Sequence, residues 1–162
     1  MKLVFIQTGG TIDKDYPKTT KGYVFEISEP AIKRIVQRVA PNFDFEIVSV
    51  LKKDSLDITE ADRIKISKTC QEVMADKIII THGTDTMIET AKALSNIKNK
   101  VIILTGAARP EKFSDSDASF NLGVAIGAAN VLKKGIYIAM NGRIYPWNNV
   151  KRKLETGQFI DY

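Results

Sequence analysis

Hydroxyls, a carboxylate and free backbone N–H groups concentrate in two short turns of this chain. The first, Thr8-Gly9-Gly10-Thr11-Ile12, follows the apolar run Leu3 to Ile6. The second, Thr81-His82-Gly83-Thr84-Asp85-Thr86, follows Ile78-Ile79-Ile80. Gly9, Gly10 and Gly83 let the backbone approach a ligand closely and leave N–H groups able to cradle negative charge. Thr11 then presents a hydroxyl, a weak nucleophile until a base or a charge activates it. Thr84 offers a second hydroxyl, and Asp85 a carboxylate that can grip a ligand ammonium group. The chemistry implied is binding of a small polar molecule, with nucleophilic attack on it.

Plainer readings stand beside this one. Thr-Gly-Gly-Thr alone also describes a tight strand-exit turn. Thr84 or Asp85 could simply cap the helix that follows, although capping does not explain the whole run from Thr81 to Thr86. Neither turn ends in the Gly-Lys-Ser/Thr of a Walker A loop, and neither is GxGxxG, so a nucleotide site has little support. His82 is the only histidine and reads as structural. With no histidine or cysteine cluster, no metal site is expected. The single cysteine, Cys70, excludes an internal disulfide and reads as a buried thiol.

The turns need elements to hold them. Strands are predicted at Leu3–Gln7, Phe43–Leu51, Lys77–Thr81, Val101–Thr105 and Gly135–Met140, the last with a hairpin through Asn141-Gly142. Helices are predicted at Glu29–Ala40, Thr59–Ala75, Asp85–Asn96 and Asp117–Lys133. Ser28 suits the N-cap of the first, Pro30 its first turn, and Pro41 its end. Glu60 and Asp62 suit the start of the second, where the helix dipole favours acids. Alternating strands and helices indicate an α/β fold on a mostly parallel sheet, and continuous apolar runs fit strands covered on both faces. The loops bearing Thr11, Ser55, Thr84 and Gly106-Ala107-Ala108 should then share one sheet edge, where such folds bind ligands.

The chain has 162 residues, enough for one domain, and 44% hydrophobic residues, enough for a core. Its apolar runs fall far short of the roughly twenty residues that span a bilayer, so no membrane association is expected. Met1 to Ile6 is too short for a secretory leader, which points to a cytoplasmic protein. The net charge of +5 comes with acids scattered among the bases. That pattern suits a solvated surface better than a nucleic-acid stripe.

The ordered set Thr8-Gly9-Gly10-Thr11-Ile12, Asp54-Ser55-Leu56-Asp57-Ile58-Thr59, Ile80 to Ala91, Thr105-Gly106-Ala107-Ala108-Arg109-Pro110, Ser116-Asp117 and Phe120-Asn121-Leu122 resembles the N-terminal domain of the bacterial-type L-asparaginase/glutaminase family. The resemblance runs along nearly the whole chain. It implies a single three-layer αβα domain over residues 1–162. It also implies hydrolysis of a side-chain amide to a carboxylate and ammonia, without metal or organic cofactor. Thr11 matches the family's nucleophile and Tyr23 the flap tyrosine that assists it. Thr84 and Asp85 match the second threonine and its aspartate. Ser55 matches a serine that helps hold the substrate α-carboxylate, and Asp85 would hold the α-ammonium. Gly10, Gly83 and Ala107 complete the expected binding turns.

Two features depart from the family's pattern. Its C-terminal domain has no counterpart in these residues, so the expectation is a stand-alone domain working as a homodimer or larger assembly. The family's catalytic lysine aligns on Arg152, which stays protonated and cannot act as a base. Lys153 fills the role if the loop shifts by one residue. Leu56 also stands where a polar neighbour of Ser55 is common. The expected function is therefore an asparaginase-type amidohydrolase. The alternatives are an amino-acid-binding or regulatory module without turnover, and an amidase for a different small amide. Arg109 and Asn121 are expected to shape loops, not to carry chemistry.

Overall fold

Alternating side chains on each central strand divide the core in two. A computed structural model describes residues 1–16 and 25–162. Its strands are β1 (Lys2–Gly9), β2 (Lys14–Asp15), β3 (Glu26–Ile27), β4 (Asp44–Lys53), β5 (Lys77–Thr81), β6 (Val101–Thr105), β7 (Gly135–Met140), β8 (Arg143–Pro146), β9 (Lys151–Arg152) and β10 (Phe159–Ile160). The helices are α1 (Ala31–Val39), α2 (Glu60–Glu72), α3 (Met87–Ala93) and α4 (Ala118–Val131). Six strands form one sheet in the order β4-β1-β5-β6-β7-β8, parallel except for the β7–β8 hairpin. Ile78, Ile80, Ile102 and Leu104 face α2 and α3 beside Ile66, Cys70, Met87 and Leu94. Ile79, Val101 and Ile103 face α1 and α4 beside Ile32, Val36, Leu122 and Ala125. The result is the expected three-layer α/β arrangement, because the central strands β1, β5 and β6 are apolar on both faces.

Local signals fix several boundaries. Asn141 and Gly142 both take positive φ, 54° and 82°, the backbone a two-residue hairpin needs. At α2, Thr59 and Asp62 form a reciprocal capping box. Burial pushes the Cys70 thiol up to about 12, so it is an inert core group.

One cap differs from expectation. Ser28 does not cap α1. Pro30 occupies the cap position, and the Ala31 N–H donates instead to Asp13 Oδ1 at 2.7 Å. Asp13 lies on the turn just after Thr11, so a residue distant in sequence terminates the helix. Its carboxyl is buried, and burial raises it from 3.8 to about 6. The folded state therefore holds a proton there that the unfolded chain has lost, and stability falls as pH rises from 3.8 through about 6. His82 works in the opposite direction. Burial lowers it from 6.5 to about 4, so its contribution is lost as pH falls through that window. The two slopes offset each other in the native chain. Asp13→Asn keeps the acceptor for Ala31 and removes one slope. Thermal melts of this variant should show stability rising from pH 4 to 6.5, with a gain over wild type at pH 8 of up to roughly 3 kcal/mol. An unchanged difference between the two proteins across pH 4–8 would contradict this account.

Glu111 fastens the same region. Its N–H donates to the Ile12 carbonyl at 3.2 Å. Its buried carboxylate accepts from Arg34 Nε at 2.6 Å and faces Arg38 at 2.9 Å, the latter an ion pair without hydrogen-bond geometry. Arg34 is largely covered, whereas Arg38 is 62% exposed. Glu111→Gln should cost about 2 kcal/mol by leaving Arg34 under-compensated, or roughly 4–8 °C in Tm. Arg38→Gln should cost less than about 0.5 kcal/mol. Equal losses in the two melts would place the energy in the exposed pair.

Candidate active site

The strand order creates a crevice. From β1 the chain passes through α1 to β4 on one side, then through α2 to β5 on the other. The carboxyl ends of β1 and β5 therefore flank a topological switch point, where open α/β sheets bind ligands. Thr11 follows β1, while Thr84 and Asp85 follow β5. Ser55 follows β4 and Ala107 follows β6. All five lie at one sheet edge.

Glycines bring these turns into backbone contact. A Cβ on Gly10 would fall 2.3 Å from the Gly83 nitrogen, and one on Gly83 would fall 2.6 Å from Ser55 Oγ. The Gly10 N–H donates to the Lys53 carbonyl at 2.9 Å, tying the first turn to the end of β4. Thr11 and Thr84, each the next residue along, flank the Gly10–Gly83 contact, and both are half-buried. Gly106 lies against the His82 carbonyl in the same way. Ser55 Oγ is buried beneath Gly83 without a hydrogen-bond partner among the described residues. Leu56 points to solvent. Ala107 buries its methyl in the core, so only its backbone can meet a ligand.

Neither Thr84 nor Asp85 caps α3. The helix begins at Met87 after Thr86, with no side-chain cap. The Thr86 hydroxyl instead donates to the Ser55 carbonyl at 2.7 Å, which leaves Thr84 and Asp85 outside the helix. Other strand-end threonines are stitches: Thr8 Oγ1 donates to Thr81 O and Thr105 Oγ1 to Ala139 O, each at 2.8 Å. His82 is fully buried, with Nδ1 2.7 Å from the Gly83 carbonyl and Nε2 2.8 Å from Thr90 Oγ1. Asn121 holds the loop after β6, donating to Gly106 O at 3.0 Å and accepting from the Asn141 N–H. Arg109 pairs with Asp115.

Among the described residues, an arginine pairs with Asp85. Arg152, on the short β9–β10 hairpin, approaches Asp85 Oδ1 at 3.1 Å. Gly157 lies beneath its guanidinium, where a Cβ would come within 3.1 Å of a terminal nitrogen. Lys153 is exposed, its N–H paired to Gln158 O on the hairpin. Tyr23 lies outside the described residues. Lysines also surround the Ser55 turn. Lys14 holds the Asp54 carboxyl below the usual range, and Lys53 with the Thr59 N–H draws Asp62 down to about 2. Lys53, Thr86 and Gly157 shape the site without standing out in the sequence, whereas Gly106 lies in a loop expected at this sheet edge. Lys53 and Thr86 act through contacts between loops and Gly157 within the β9–β10 hairpin, and such contacts leave no local period in the sequence.

Among the described residues, no group of three or more acidic, histidine or cysteine side chains could hold a metal ion, and no helix is long and apolar enough to cross a membrane. A family model described as "Asparaginase, N-terminal" matches residues 2–159. The L-asparaginase of Thermococcus kodakarensis is 37% identical over 172 aligned positions, covering 100% of this chain and 52% of that protein. The solved structure of the thermostable L-asparaginase from the same organism superposes with a TM-score of 0.88 at 31% identity, over 99% of this chain and 51% of the other. A probable cytoplasmic L-asparaginase from Campylobacter jejuni gives 0.80 at 27% identity, over 99% and 52%. The chain thus spans about half the length of the relatives it matches.

Proposed function

The chain belongs to the asparaginase family, matching its N-terminal domain, and from that premise we propose that it is an asparaginase-type amidohydrolase acting on L-asparagine or a related small amide. The observation that carries this reading is the backbone contact of Gly10 with Gly83 at the β1/β5 switch point, with Thr11 and Thr84 on either side. In the proposed reaction, Thr11 Oγ adds to the amide carbon and the carbonyl electrons move onto oxygen. Backbone N–H groups of the glycine turns meet that oxyanion. Collapse breaks the C–N bond and the threonine proton leaves with ammonia. Water then hydrolyses the Thr11 ester to the carboxylate. Arg152 stays charged throughout. Its role is to fix Asp85, leaving the other carboxylate oxygen for a substrate ammonium, and the place beside Asp85 goes to Arg152 rather than Lys153. Tyr23 is proposed to assist Thr11 in the family's manner. The domain is proposed to act as a homo-oligomer in the cytoplasm, on small molecules and not on nucleic acid.

A second reading, an amino-acid-binding module without turnover, is favoured by one observation. The only cation paired with Asp85 among the described residues cannot accept a proton. Ammonia release from L-asparagine, L-glutamine and other small amides decides between the two. Release in the wild type supports the enzyme. No release, with L-aspartate still raising Tm, supports the module. Neither release nor stabilisation would end both.

A further inference from the structure

We propose that His82 is a positioning residue that aims the Thr84 N–H into the crevice by holding the Gly83–Thr84 peptide. The inference rests on the amidohydrolase reading, for which that N–H is an oxyanion donor. A carbonyl only accepts, so the 2.7 Å contact makes His82 Nδ1 the donor to Gly83 O. The ring is neutral, since full burial lowers its pKa to about 4. Nε2 therefore carries no proton and accepts from the Thr90 hydroxyl at 2.8 Å. The Gly83 carbonyl thus requires the Nδ1–H tautomer, and the Thr90 hydroxyl, able to donate, satisfies the bare Nε2 that this leaves. The Gly83–Thr84 peptide is trans, like all described here. In a trans peptide the carbonyl and the next N–H point in opposite directions. Holding the Gly83 carbonyl on His82 therefore turns the Thr84 N–H away from the buried imidazole. No acceptor among the described residues takes that N–H. Thr90, on the first turns of α3, is thereby coupled to the site through two hydrogen bonds.

The test uses two amide replacements. The side-chain nitrogen of asparagine can stand where Nδ1 stands, whereas that of glutamine reaches the place of Nε2. His82→Asn should keep kcat within about tenfold of wild type. His82→Gln should lower kcat on the order of 10²-fold, with KM little changed and each Tm recorded. Equal losses in the two folded variants, or no loss in His82→Gln, would overturn the proposal. A second measurement needs no turnover and no variant. Long-range nitrogen–proton correlation NMR of wild-type His82 should show the proton on Nδ1, and a proton on Nε2 alone would overturn the proposal. If the wild type releases no ammonia from any amide, the amidohydrolase reading fails. The hold on the peptide is then judged by the tautomer and by the Thr84 amide signal, which should move in His82→Gln but not in His82→Asn.

Discussion

Thr11→Ala should lower ammonia release from L-asparagine by about 10⁴-fold or more, and Thr84→Val by on the order of 10³-fold, with Tm within a few degrees of wild type. Thr11 is half-buried at the start of a three-residue turn, and its side chain caps nothing. Removing the hydroxyl takes away the atom that forms the ester and leaves the turn intact. Thr84 likewise stands outside α3, so valine removes a hydroxyl without removing a cap. The two losses should not multiply. Residues that act as one unit lose most of their effect together once either is gone. A double variant near the Thr11→Ala level would place both hydroxyls in one step, and a multiplicative loss would place them in separate steps. Full activity in Thr11→Ala would remove Thr11 as the nucleophile and, with it, the proposed reaction.

Gly10→Ala should lower activity on the order of 10²-fold and lower Tm together. Gly10 sits at φ 84° and ψ −178°, a region open in practice to glycine alone, where another residue carries roughly 1–3 kcal/mol of strain. The new methyl would also lie 2.3 Å from the Gly83 nitrogen and 2.5 Å from its Cα. Both neighbours are backbone, so relief requires the β1 and β5 turns to separate. Strain and repacking together should cost about 3 kcal/mol or more. That corresponds to roughly 6–12 °C in Tm. Separating the turns by even about 1 Å should cost on the order of 10²-fold in kcat/KM. Gly123 in α4 is the control. A Cβ there meets nothing within 4 Å, so Gly123→Ala should stabilise by up to about 1 kcal/mol and leave activity unchanged. A Gly10→Ala protein with native Tm and activity would show that the contact does not hold the site together.

Much of the scaffold is legible in the sequence because burial leaves a local period. Ile78-Ile79-Ile80 and Val101 to Leu104 are apolar on both faces, and they become β5 and β6 with alternate side chains in the two core layers. Thr59 with Asp62, and Asn141-Gly142, announce a cap and a hairpin, since the groups that satisfy each other lie within three residues. Helix ends are less legible. The pattern extends α3 back to Asp85, but the Thr86 hydroxyl is taken by Ser55 and the helix waits until Met87. The same holds for α1, where the local candidate Ser28 loses its place to Asp13.

What this chain's sequence determines by itself is therefore its α/β class, its parallel core strands and the identity of the hydroxyl, carboxylate and glycine residues in the two turns. All of these depend on neighbours a few positions apart. The tertiary structure alone decides that Gly10 meets Gly83, that Ser55 Oγ is covered, that Arg152 rather than Lys153 reaches Asp85, and that His82 holds the Gly83 carbonyl. The partners in the first two contacts come from different strand ends of one sheet, whereas Arg152 arrives on the separate β9–β10 hairpin. Which ends adjoin depends on the order β4-β1-β5-β6-β7, and no local period encodes strand order. The last contact joins adjacent residues, yet it too needs the fold. A histidine turns inward to its own neighbour's carbonyl only when Thr90 and the surrounding core exclude the water that would otherwise take both groups.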